Sequence, residues 1–139
     1  MKIIKVAAIL LISIISNNLM AQKTILKSAK IEWESFSTES IYDIGCDQFD
    51  YSFLNSKQNE TLTNKAQLAK LNLLTAYNLF TPEKKYKSID VRGKLILAYK
   101  NSTIKYCFDQ FGHFYYNDKL LNNKNLWAFI TKIIPKSDQ

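Results

Sequence analysis

The sequence predicts an α+β domain: an antiparallel sheet of about five strands packed on one face by a central helix, with a short C-terminal helix. Two observations carry this class. Period-two apolar and aromatic runs, strongest over Leu95–Tyr99 and Ile104–Phe108, flank a single long stretch with three- and four-residue apolar spacing. Hairpin-length turns separate the later runs, and strands that precede and follow a helix in this way pair antiparallel. Composition agrees, because 139 residues that are 47% hydrophobic, with three Gly and two Pro, describe one globular domain rather than a disordered or collagen-like chain.

The elements begin with an address. Met1–Ala21 carries Lys2 and Lys5, an apolar stretch from Val6 to Ile15, a polar Ser16-Asn17-Asn18 and a small residue at Ala21, the layout of a secretory signal peptide. Ten or so apolar residues are too few for a hydrocarbon core that needs roughly 20, so cleavage is expected rather than a retained anchor. The expected product is periplasmic or secreted, with no stable membrane span. Its Lys-, Asn- and Ile-rich composition, with Arg92 the only arginine, fits an AT-rich bacterial genome. Residues 22–28 read as a flexible lead and residues 29–139 as the single domain.

Within the domain, Ile31 and Trp33 alternate with Lys30, Glu32 and Glu34, predicting a strand over 29–36. Ile41–Phe53 reads as one or two further strands, with Gly45 at a bulge or bend. Residues 54–63 read as a polar loop that ends at Asn64, a helix cap with Gln67 three residues on. Over 65–80, Ala66, Ala69, Leu73, Tyr77 and Phe80 form an apolar stripe widened by Leu68, Leu71, Leu74 and Leu79, and Pro82 stops the helix. Residues 81–88 form a charged linker. Strands then follow over 89–99 and 103–116, with turns at 100–102, at Asp109-Gln110 and at 117–119. Asn125 caps a helix over 126–134, ended by Pro135.

Cys46 and Cys107 are the only thiols, and an even pair beyond an export signal predicts a disulfide. The two lie 61 positions apart, so the bridge closes a loop that contains the central helix. A catalytic thiol or a metal site would have only His113 to draw on, so neither a metal nor a cofactor is expected. There is no nucleophile-elbow Gly-x-Ser-x-Gly, phosphate-cradling glycine loop, His-Glu-x-x-His or EF-hand pattern, which argues against serine hydrolases, nucleotide enzymes, zincins and EF-hand proteins.

Charge divides the chain. Residues 31–63 carry a net −6 and residues 84–139 a net +7, so an oppositely charged partner could be met on either half unless the sheet interleaves them. Nucleic acid is not expected, because no basic cluster interleaved with aromatics marks one face. The candidate binding residues are Arg92, suited to a carboxylate or to a structural ion pair, and His113, Tyr115 and Tyr116 in an aromatic strand able to present a sticky face. Together these features predict a small exported protein that binds a protein partner, of the inhibitor, immunity-type or accessory kind. The rival readings are an envelope hydrolase using paired acids, drawn from Glu32 and Glu34 or from Asp43, Asp47 and Asp50, and a carrier of an apolar ligand.

Overall fold

The structure, a computed structural model, describes residues 25–139. The expected signal peptide and residues 22–24 of the lead lie outside the described residues. In chain order the elements are β1 (Leu26–Trp33), α1 (Phe49–Ser52), β2 (Gln58–Leu62), α2 (Lys65–Leu74), β3 (Thr81–Pro82), β4 (Gly93–Tyr99), β5 (Thr103–Phe108), β6 (His113–Tyr116), β7 (Lys119–Asn122) and α3 (Lys124–Ile130). Single 3-10 turns follow α2 at Tyr77–Leu79 and close the chain at Lys136–Asp138. One sheet orders the strands β2-β1-β4-β5-β6-β7-β3, with every neighbouring pair antiparallel.

The α+β class holds, with seven strands where about five were expected. β2 was expected as loop because its sequence QNETL is polar, yet it pairs with β1 from Ala29↔Leu62 to Trp33↔Gln58 and buries only Leu62. An outermost strand needs a single apolar contact, and its polar residues discourage pairing with another chain. β7 follows β6 through a tight turn in which Asn117 and Asp118 hold φ of 48° and 58°, the left-handed geometry of a two-residue hairpin. β3 is two residues long and ends the sheet at Pro82, where a missing N–H costs no ladder bond.

The helices differ from expectation in length and phase. Asn64 caps α2 through its side-chain oxygen, which accepts from the amides of Ala66 and Gln67. The helix stops at Leu74 rather than Phe80, so Leu68 and Leu71 become its buried positions while Leu73 and Tyr77 point to solvent. Ala66, Ala69 and Leu73 of the expected stripe lie within the helix on its exposed side, because Leu68 and Leu71 are the positions that meet the core, and Tyr77 falls beyond the helix end. Phe80 instead stacks on Tyr106 at 5.2 Å between ring centroids. α3 is capped by Asn123, two residues before the expected Asn125, and its Leu126 and Ile130 are fully buried.

Strand alternation sorts the sheet's side chains onto two faces. On one, Ile31, Leu95, Leu97, Phe108 and Phe114 join Leu71 of α2 and Leu126 and Ile130 of α3 in the main core. The C-terminus locks onto this core's rim, where the Trp33 indole donates to Asp138 at 3.0 Å. The opposite face is covered by the segment between β1 and β2, forming a second core of Ile44, Phe49, Phe53, Ile89, Val91 and Cys107. The strands expected over Ile41–Phe53 are therefore absent. That stretch is loop and the short α1, entered through a turn in which the Gly45 carbonyl accepts from the amides of Gln48 and Phe49. Phe49 and Phe53 lie one helical turn apart and share the buried side, a spacing that alternation would have split between period-two and helical readings.

Candidate functional site

The segment that covers the second face has little secondary structure of its own, and side chains fasten it to the sheet. The disulfide Cys46–Cys107 joins it to β5, with Cα atoms 5.8 Å apart. Asp90 accepts from the Ile44 amide at 2.8 Å and from the Ser40 hydroxyl at 3.0 Å. Arg92 is buried, pairs with Asp90 at 2.5 Å and donates to the Thr38 carbonyl and the Ser40 hydroxyl. Its guanidinium lies 5.4 Å from the centre of the Phe53 ring. Glu34 closes the base of the segment by accepting from Thr38 at 2.7 Å and from Ser56 at 2.5 Å.

A second fastening is ionic. Lys94 is almost fully buried on the sheet beneath α1, where it donates to Asp50 at 2.6 Å and sits 5.3 Å from the centre of the Phe49 ring. Lys57 reaches the same carboxylate at 2.5 Å. Hydrogen bonds from Lys57 and then Lys94 hold the Asp50 carboxyl well below the usual carboxylate range, from 3.8 to about 2. A buried ammonium is tolerated because it has both a carboxylate and a ring face to replace its water.

Outward, the same segment shows large apolar groups. Ile41, Tyr42, Tyr51 and Leu54 are all exposed, and Ile41 touches almost nothing. Between Glu39 and Leu54 the only charged residues are acidic: Glu39, Asp43, Asp47 and Asp50. Leu73, Tyr77 and Leu79 form another exposed run at the end of α2, without comparable fastening. Several surface hollows lie among the described residues, two of them close in size. One, about 520 Å³, lies against α2 and is lined in part by the exposed Ile25, Lys27 and Lys65. The other, about 500 Å³, lies beside the disulfide.

The four residues singled out from sequence do not converge. Arg92 is internal to the layer just described. Tyr116 faces the main core and packs on Tyr106 at 4.8 Å. Tyr115 and His113 share the opposite face, as strand alternation requires. Tyr115 lines the hollow beside the disulfide and donates to Asp118 at 2.7 Å. That bond, with partial burial and the charges of Asp118 and Asp47, pushes the phenol's pKa up.

His113 lies between two carboxylates. Its Nδ1 is 2.7 Å from Asp109 and its Nε2 is 3.7 Å from Glu83, while the Tyr86 ring covers it with centroids 4.9 Å apart. Asp109 also accepts from the amides of Phe111 and His113, which fixes the β5–β6 turn. Glu83 accepts from Asn122 at 2.6 Å and from the Lys85 amide at 2.5 Å. The Asn122 bond and then the Lys85 amide lower its pKa. No hydroxyl or thiol hydrogen-bonds to His113 among the described residues, so the arrangement joins β3, β6 and β7 without a nucleophile to activate.

Of the sequence-predicted acids, Glu32, Glu34 and Asp50 are engaged in ion pairs or hydrogen bonds. Glu32 is buried with Lys30 at 2.6 Å and Lys57 at 3.8 Å, and Glu34 holds its two hydroxyls. Among the described residues, no group of three or more His, Cys, Asp or Glu side chains is placed to hold a metal ion. No helix among them is long and apolar enough to cross a membrane. The flanking of His113 by Glu83 could not be found from sequence, because Glu83 stood in an apparently solvated linker. Comparison with protein-family models, with curated proteins and with solved structures finds no match for this chain.

Proposed function

We propose that this is a small exported protein, periplasmic or secreted, that acts by binding a protein partner in the manner of an inhibitor, immunity-type or accessory protein. One observation carries the reading: Ile41, Tyr42, Tyr51 and Leu54 stand in solvent on a segment that buried side chains hold rigid. Single exposed apolar residues are ordinary, but several on one short stretch favour a contact surface. A segment ordered in advance loses less entropy when it binds, so the fastenings to Cys107, Asp90, Arg92 and Lys94 suit recognition. Turnover by paired acids is disfavoured by the same geometry, since Glu32, Glu34 and Asp50 already serve as ion-pair or hydrogen-bond partners.

The test compares the disulfide-bonded protein with an Ile41→Ser/Tyr51→Ser double variant as immobilised bait against envelope and medium fractions of the producing cells. Both positions are exposed, so stability should stay within about 0.5 kcal/mol. A truncated interface anchor costs about 2 kcal/mol, so the partner should bind the variant roughly thirty-fold more weakly or not at all. Equal capture by both proteins would remove this segment as the binding surface. Mass spectrometry of the native product addresses export: an N-terminus at Gln22 with no alkylatable thiol is expected, and an intact Met1 would refute it.

A further inference from the structure

The hollow beside the disulfide has a chemistry of its own. Its lining includes Cys46, Asp47, Lys87, Ile89, Val91 and Tyr115. Ile89 and Val91 belong to the second core and are buried, so the sheet side of the groove is apolar and firm. Tyr115 adds an aromatic ring whose hydroxyl is held by Asp118. Ser88, also in the groove, donates to Asp43 at 3.4 Å. One carboxylate, Asp47, and one ammonium, Lys87, line the groove, and two further carboxylates, Asp43 and Asp118, lie one hydrogen bond beyond its lining, on Ser88 and Tyr115. The raised pKa of the Tyr115 phenol, to which both Asp118 and Asp47 contribute, agrees with a negative local field.

We infer that this groove receives a lysine or arginine side chain of the protein partner. The inference rests on the binding reading above and adds the chemistry of one contact. A long basic side chain has an apolar stem and a charged head, which match Ile89 and Val91 on one side and Asp47 and Asp118 on the other. The Tyr115 ring offers a face to the cation. About 500 Å³ is ample for one such side chain and falls within the usual range of ligand pockets. The groove is lined by Gly45–Gln48, which belong to the same chain segment as the exposed apolar groups.

The test titrates the ¹⁵N-labelled, disulfide-bonded protein with acetyl-arginine-amide and acetyl-lysine-amide, using acetyl-norleucine-amide as the uncharged control. Amide shifts at Cys46, Val91 and Tyr115 are expected with both basic probes and not with the control. Asp47→Asn with Asp118→Asn should weaken the basic probes about five-fold, the effect of two partly exposed charges, and Lys87→Met should strengthen them about two-fold. Asn suits the left-handed backbone at 118, and an unchanged amide spectrum elsewhere would confirm that each variant folds. Equal binding of the control, shifts mapping elsewhere, or variants without effect would overturn the inference. Partner capture that depends on Ile41 and Tyr51 while the groove binds no basic probe would overturn this contact and leave the binding reading standing. Groove binding with no partner captured would overturn the binding reading, and with it the assignment of the occupant to a protein partner.

Discussion

Replacing both cysteines by alanine removes the covalent fastening of the second layer. The bridge spans 61 positions, and the entropy of closing a loop of that length in the unfolded chain corresponds to about 4 kcal/mol. Cys107 is fully buried, so losing two sulfurs adds a small cavity cost of about 1 kcal/mol. The folded layer should persist, because Asp90 still holds the Ile44 amide and Arg92 still holds Thr38 and Ser40. Domains of this kind are stable by about 5–15 kcal/mol, so the variant should fold but lose a large share of that margin. Urea unfolding of the oxidised protein and the double variant measures the loss. With a slope of about 2 kcal/mol per molar, the midpoint should fall by roughly 2.5 M. A difference below about 1 kcal/mol would refute the argument. Hydrogen exchange separates its parts: Val91, which donates to the Ile44 carbonyl, should continue to exchange only with global unfolding. Fast local exchange at Val91 with little change in global stability would mean that the bond acts on the folded layer instead.

Lys94→Ala should destabilise by about 2 kcal/mol by emptying buried space against Phe49 and removing one of the two ammonium partners of Asp50, and Lys94→Met should recover much of it by refilling the space, both read by thermal unfolding. Asp50 has a folded pKa of about 2 against 3.8, so its contribution is present above the unfolded value and lost as pH falls toward 2. Because about half of its side chain is exposed, the loss should be about 1 kcal/mol, and Asp50→Asn should flatten that part of the stability profile between pH 5 and pH 2. Gly112 holds φ of +88° with the Trp127 ring against the place a Cβ would occupy, so Gly112→Ala should cost more than about 2 kcal/mol in urea unfolding. Leu71→Ala should cost about 3 kcal/mol by the same measure, since its side chain is fully buried between α2 and the sheet.

The sequence was most informative where pattern and partner are both local. The β4–β5 hairpin was legible because Leu95 and Leu97 alternate with their neighbours and face Tyr106 and Ile104 across a three-residue turn. The Asn64 cap was legible because a cap bonds amides two and three residues away. β2 and β3 were not, since an edge strand is defined by the neighbour it meets and its own residues need bury little. At the candidate surface, exposure of Tyr42 and Tyr51 had no local sign, because aromatic residues in an irregular stretch read equally well as core. Arg92 and His113 were visible as unusual residues, but their partners at Thr38, Ser40 and Glu83 are distant in sequence or lie in segments that read as solvated.

Composition, periodicity and the lone pair of thiols were sufficient to determine an α+β chain with antiparallel strands and a Cys46–Cys107 bridge, because each follows from properties the residues carry before folding. Only the tertiary structure decided that the sheet has a second layer, that α1 rather than strands covers Lys94, and that Ile41, Tyr42, Tyr51 and Leu54 face outward. The reason is one of range. Hydrophobic alternation reports which way a side chain turns relative to its neighbours in the chain, whereas burial depends on what a distant segment brings over it.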